Sequence, residues 1–153
     1  MQKASSIALG TILLALVGLT AAQAQAPRYS PGIVRLADRG DARAQTRLGF
    51  MLANGLNLPQ NYAEAAYWYR RAAEQGDPDA QYLLGVCFDL GKGVPIDFVL
   101  AHKWFNLSAS RTKPGDEREH RARMRDALAT KLNRAEFEFA QALAINFHPK
   151  RER

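Results

Sequence analysis

The chain has 153 residues, 47% of them hydrophobic and 24% charged, and 21 basic against 15 acidic side chains leave a formal net charge of +6. That length holds one domain with a sizeable core, and the apolar fraction excludes an intrinsically disordered chain. A single cysteine, Cys87, excludes an intrachain disulfide framework.

The N-terminus reads as a targeting segment. Lys3 precedes a 13-residue apolar run from Ile7 to Leu19, and Ala22-Gln23-Ala24 follows. This is the order of a secretory signal peptide, so residues 1–24 are expected to be removed after Ala24. The run is short of the roughly 20 apolar residues that cross a bilayer. No cysteine follows it, so no lipid anchor is expected; an uncleaved N-terminal anchor is the alternative. Cleavage removes only Lys3 from the charged residues, so the net charge falls from +6 to +5. The expected location is the periplasm or the medium, with no stable membrane span and no nucleic-acid partner. Residues 25–31 are polar, carry Pro27 and Pro31, and read as a flexible lead.

One domain is expected over residues 32–147. It is organised by a repeat with an offset of 36 residues throughout, over 40–75 and 76–111. The offset maps Gly40 on Gly76, Ala44 on Ala80, Leu48 on Leu84, Gly49 on Gly85 and Gly55 on Gly91. It also maps Asn61 on Asp97, Ala65 on Ala101 and Trp68 on Trp104. A fixed period in this range predicts a solenoid of antiparallel helix pairs, an all-α fold. Asp41 and Asp77 are N-cap candidates, and Pro78 suits a first helical position. Ala44, Leu48 and Leu52 form an i, i+4, i+8 stripe, as do Ala80, Leu84 and Phe88. Gly49 and Gly85 sit inside these helices, where glycine costs about 1 kcal/mol against alanine. The same cost at the same register twice predicts close approach of a neighbouring helix. The second helices carry Ala65, Trp68 and Ala72, then Ala101, Trp104 and Ser108, on their inner face. Before Gly40, the fragment Leu36-Ala37-Asp38-Arg39 matches Ala72-Ala73-Glu74-Gln75, and predicts half a repeat at the N-terminal end.

These residues resemble the Sel-one-like repeat family, relatives of the tetratricopeptide repeats. Its pattern is roughly A-x-x-x-L-G-x-x-Y-x-x-G-x-G-V-x-x-D-x-x-x-A-x-x-W. The chain departs from it at the tyrosine (Leu52, Phe88) and, in the first copy, at Asn57, Leu58 and Asn61. The resemblance covers about half the chain. It implies an α/α-solenoid that binds other proteins and implies no reaction.

After Ser110 the stretch Arg111-Thr112-Lys113-Pro114-Gly115 ends the helix. A third pair departs from the repeat. It runs from Asp116 to Lys131, with Met124, Leu128 and Leu132 on one stripe, then from Arg134 to about Asn146. Asn133 and Glu136 are placed for a capping box. Residues 116–147 are therefore expected to cap the solenoid, since terminal repeats meet water on one face. Residues 148–153 read as a disordered basic tail.

The chemistry carries no catalytic grammar. His102, His120 and His148 show no metal spacing, no nucleophile elbow occurs, and Gly91-Lys92-Gly93 fits a repeat turn better than a nucleotide loop. No cofactor or metal is expected, and the chain reads as a non-enzyme. Some relatives implied by the resemblance are proposed to act on β-lactams, but carry cysteine pairs that this chain lacks. Cys87 lies between apolar neighbours and is expected to be a buried small hydrophobe.

Two surfaces remain. In related solenoids the first helix of each pair lines the concave side. By register its exposed positions here are Arg43, Thr46, Phe50, Ala53 and Asn54, then Asp79, Tyr82, Val86, Asp89 and Leu90. Phe50, Tyr82 and Val86 would anchor a protein or peptide bound by a monomer, unless they pack against the cap. The second surface is basic: Arg118, Arg121 and Arg125 share a helical face near Arg111, Lys113 and Arg123. It would suit an anionic envelope ligand, unless Glu117, Glu119 and Asp126 consume it in ion pairs.

Overall fold

The computed structural model describes residues 31–152. The expected signal peptide and residues 25–30 of the expected lead lie outside the described residues, as does Arg153. Within them, seven helices follow one another and no strand occurs. They are α1 (Pro31–Asp38), α2 (Ala42–Asn54), α3 (Tyr62–Glu74), α4 (Pro78–Leu90), α5 (Phe98–Arg111), α6 (Asp116–Ala129) and α7 (Arg134–Ile145). Helices α2–α3 and α4–α5 are the two repeats. Each helix packs on its sequence neighbour from α1 to α6, and α7 returns onto α5. No helix among the described residues is long and apolar enough to cross a membrane.

The helices start where the sequence places their caps. The N–H of Ala44 donates to Asp41 Oδ1 and that of Ala80 to Asp77 Oδ1, both at 2.8 Å. Asn61 and Asp97 cap α3 and α5 through Glu64 N (3.1 Å) and Leu100 N (2.9 Å). Each such bond satisfies an orphan donor of the first turn and contributes about 1 kcal/mol. Asn133 and Glu136 form the expected capping box of α7. Helix α1 includes Pro31, which the sequence reading places in the lead; proline is tolerated in a first helical turn.

The loops within the repeats share a backbone shape. Asn57 and Gly93 both take positive φ, 60° and 74°. At Gly93 space as well as φ demands glycine, because a Cβ there would lie 2.1 Å from the carbonyl oxygen of Tyr62. The second loop is thereby pressed on the start of α3.

The core follows the predicted stripes and adds to them. Ala44, Leu48, Leu52, Ala80, Leu84, Phe88, Trp68 and Trp104 are all buried. The largest fully buried side chains, however, are Tyr69 and Phe105, one residue after each tryptophan. A second helix in a solenoid packs on its partner and on the next repeat, so its apolar face is twice as wide as a single stripe. The rings of Tyr69 and Phe105 cover Gly49 and Gly85. This is the close approach that the repeated glycine predicts.

Two glutamines are also fully buried. Gln45 and Gln81 are counterparts by register, and each donates its amide to a carbonyl of the helix before it, Ala37 O (3.0 Å) and Ala73 O (3.1 Å). Burying an amide is tolerated here because it donates to a carbonyl of a helix C-terminus, which accepts it as a second bond beside the N–H of Gly40 or Gly76.

Cys87 is buried on α4, and burial pushes its thiol up to about 11. The neutral thiol is a poor nucleophile at pH 7. Ellman's reagent is expected to leave the native chain unmodified over minutes at neutral pH and to titrate one thiol in denaturant. Fast native labelling would place Cys87 at the surface.

The tail corrects the sequence reading. The segment 148–152 is docked along the solenoid: the N–H of Lys150 donates to Glu74 O at 3.0 Å, and Glu152 is held by side chains of both α2 and α3. Composition reads a basic run as solvated; the partners that hold it lie some 80 residues earlier in the chain.

Candidate functional site

The predicted concave positions separate into two groups. On α2, Arg43, Phe50 and Asn54 are exposed, Phe50 by 46%, whereas Ala53 is half-buried. Thr46 is half-buried too, because its hydroxyl serves the scaffold: Thr46 Oγ1 lies 2.9 Å from Ala42 O and 3.2 Å from Asp77 Oδ1. That second bond joins α2 to the N-cap of α4. Burial raises Asp77 above the usual carboxylate range, and bonds from Ala80 N–H and Thr46 oppose the rise. Arg47 is exposed as well, so Arg43, Arg47, Phe50 and Asn54 make one basic and aromatic stripe at i, i+4, i+7 and i+11.

On α4 the same register is closed by the cap. Tyr82 O–H lies 3.0 Å from His120 Nε2, and its ring tilts against Phe105 and His120, with centroids at 5.5 and 5.8 Å. Asp79 accepts from Arg121, and Asp89 accepts from Lys131 Nζ at 2.7 Å. Val86 is half-buried against the core, and Leu90 stays exposed. Helix α6 and the residues after it thus occupy the second-copy face.

The basic face of α6 is largely spent in the same contacts. Arg121 is 4% exposed. Its Nη1 donates to Pro78 O and Ser108 Oγ, both at 2.8 Å, and its Nη2 to Asp79 and Glu117. Arg125 pairs with Asp126 at 2.7 Å and Arg123 with Glu119 at 3.9 Å. The intrahelical pairing that the charge pattern allows is what forms.

The histidines go to three separate environments. His102 is buried on α5 with Phe137 edge-on at 5.2 Å, and burial lowers its pKa. His120 meets Tyr82, and His148 Nδ1 meets Asn146 O at 2.9 Å. Among the described residues no group of three His, Cys, Asp or Glu side chains could hold a metal ion.

A carboxylate site not anticipated from sequence lies at the junction of α1, α2 and α3. Glu152 Oε2 accepts from Gln45 Nε2 at 2.8 Å, and Arg71 grips both carboxylate oxygens, with Nε at 2.9 Å from Oε1. Gln75 Nε2 donates to Gln45 Oε1 at 2.8 Å, and its own carbonyl oxygen accepts from the Glu152 N–H at 3.3 Å. The Arg71 hydrogen bonds hold the Glu152 carboxyl below its ordinary value of 4.5. This pairing contributes fully above that ordinary value and is lost as the pH falls through the lowered one. The signal available in the sequence was Gln45 and Gln81 at the same register, a polar residue repeated inside an apolar face.

The family model of the Sel1 repeat matches the chain twice, over residues 42–77 and 78–112. Among solved structures, the chain is similar to a protective antigen present in uropathogenic Escherichia coli strains that displays an SLR fold. The two are 30% identical with a TM-score of 0.70, over 78% of this chain and 25% of that one. It is also similar to a Sel1 repeat protein from Oxalobacter formigenes, at 33% identity and a TM-score of 0.55, over 60% of this chain and 26% of that one. The chain therefore spans about a quarter of the length of each. No curated protein matches it.

Proposed function

The chain belongs with the Sel1 repeat proteins through the two repeats it carries, and from that premise we propose that it is a non-enzymatic adaptor of the bacterial envelope. Sel1 repeats generally mediate contacts between proteins. The adaptor would bind an acidic partner protein through the first-repeat stripe of Arg43, Arg47, Phe50 and Asn54. The observation that carries this reading is the closure of the second-copy face by α6, which leaves the α2 stripe exposed. An exposed aromatic flanked by arginines is the composition enriched at binding hot spots. The basic balance of the chain favours an acidic partner and a salt-dependent association. Residues 1–24 supply the export signal in this reading. The alternative, an anionic ligand held by the C-terminal helices, is not favoured, because Arg121, Arg125 and Lys131 already serve intramolecular partners.

Crosslinking capture from periplasmic extract tests the proposal. The wild type, recovered there with Gln25 at its N-terminus, is expected to retain a discrete protein. A Phe50→Ala, Arg47→Glu variant is expected to lose it at least tenfold with an unchanged circular dichroism spectrum, since both sites are exposed. Equal recovery with both would remove this stripe from the reading.

A further inference from the structure

The C-terminal segment crosses both repeat junctions in an extended run. Phe147 stands edge-on to Trp104 at 5.6 Å with the Arg111 guanidinium 5.1 Å from its ring centre. Pro149 lies over Gly76, where a Cβ would come within 3.2 Å of it, and Glu152 lies over Gly40, where a Cβ would come within 2.7 Å. Three extended residues advance about 10 Å, which is the spacing of one packed helix pair from the next.

The receptor for the carboxylate is built without the tail. The Gln45 side chain is fixed by Ala37 O, which its amide meets, and by the Gln75 amide, which its carbonyl oxygen accepts. The Arg71 guanidinium rests over Trp68 at 4.9 Å and Tyr67 at 5.7 Å. Both donors are therefore oriented by α1–α3 before Glu152 arrives, which lowers the ordering cost of binding. The arrangement belongs to the first repeat alone. The counterpart of Arg71 is Leu107, and Gln81 Oε1 has no hydrogen-bond partner. The tail meets the track through Pro149, the Lys150 N–H and Glu152, and its remaining side chains add little. Residues 148–151 are exposed, and Lys150 and Arg151 add positive charge to an already basic body.

We propose that this junction edge is a docking track for an extended peptide segment of a partner protein that presents one carboxylate to Gln45 and Arg71, and that residues 148–152 occupy the track in cis. The proposal rests on the reading that the solenoid binds a protein, but it uses a surface separate from the Phe50 stripe. A tethered segment competes at an effective concentration in the millimolar range, so it tunes access without sealing the site. An incoming acidic segment would lack the like-charge burden of Lys150 and Arg151.

The experiment uses the full chain and a fluorescein-labelled peptide with the sequence of residues 147–153, read by fluorescence anisotropy. Glu152→Lys, which repels its own tail from Arg71, is expected to bind the peptide at least tenfold more tightly than wild type. A peptide carrying glutamine in place of the glutamate is expected to lose at least tenfold on the same protein, which needs no further protein variant. Arg71→Met added to Glu152→Lys should lose it likewise. Phe50→Ala in the Glu152→Lys background should leave it unchanged, which separates this site from the first-repeat stripe. No binding by a folded Glu152→Lys protein, or binding indifferent to the peptide glutamate, would reduce the contact to an internal clasp. A wild-type dimer that Glu152→Lys dissolves would assign the track to a second copy of this chain.

Discussion

Phe105→Ala is expected to cost about 3–5 kcal/mol, the range for emptying a buried aromatic site. Phe105 is 0% exposed and fills the space over Gly85, with the Tyr82 ring 5.5 Å away. The surroundings cannot collapse freely into the void, because α5 is packed on α4 and on α6. A loss of that size is a large fraction of the 5–15 kcal/mol that stabilises an ordinary domain. The complementary change, Gly85→Ala, works from the other side of the contact. Its new Cβ would stand 2.8 Å from Phe105 Cδ1 and Cε1. A tightly packed ring cannot yield freely, so overpacking of about 1–3 kcal/mol outweighs the roughly 1 kcal/mol that alanine gains in helix propensity. Combining the two changes should cost less than their sum, since alanine at 85 then fills part of the hole that Phe105 leaves. Urea unfolding followed by circular dichroism reads all three. A Phe105→Ala midpoint equivalent to less than 1 kcal/mol would show that this contact is not a keystone of the repeat.

The legibility of the fold and of its sites differed, for a physical reason. Backbone chemistry is local, so Asp41, Asp77 and the Asn133–Glu136 box announced their helix starts in the sequence. The 36-residue offset carried the helix pairs, because register repeats along the chain. Gly49 and Gly85 announced a close neighbour but not its identity. Tyr69 and Phe105 were masked by the tryptophans beside them, since a one-stripe template misses a helix that is buried on two sides. The site residues depend on contacts between distant segments, and there the sequence offered only an alternative, that Tyr82 and Val86 pack against the cap. Nothing near Tyr82 says that His120 and Arg121 will cover it. Nothing in His148–Glu152 says that Arg71 and Gln45 await a carboxylate. Pattern finds the faces of a solenoid; which face a terminal element then occupies is decided by pairings far apart in the chain.

Arg121→Met is expected to cost about 2–3 kcal/mol and to loosen α6 before the repeats. The four partners of the guanidinium are unequal. Asp79 and Glu117 have side chains that are 62% and 67% exposed. Water replaces Arg121 there at little cost, as for most surface pairs. Pro78 O and Ser108 Oγ face inward, and Ser108 is fully buried. Ser108 Oγ already donates to Pro78 O at 2.6 Å, so one bond survives at the carbonyl. What is lost is a charge-assisted pair of bonds to buried acceptors, worth about 1.5–3 kcal/mol, while methionine recovers part of the packing over the Tyr82 ring. Replacing a whole buried ionic cluster by apolar groups can be neutral, but here the acceptors stay behind. Lysine should not rescue, because it lacks the fork that serves Pro78 and Ser108 on one side and the carboxylates on the other. Arg125→Met is the control. That guanidinium is half-exposed, and its change should stay within about 0.5–1 kcal/mol. Hydrogen exchange would localise the effect. Protection should fall in α6 while α2–α3 are unchanged, and the uncovered Tyr82 hydroxyl should lose its His120 contact. Equal loosening across both repeats would mean that the cap and the solenoid unfold as one unit. A neutral Arg121→Met would mean that the cap is held without this guanidinium, by Leu128 in the core and by the Tyr82–His120 and Asp89–Lys131 contacts.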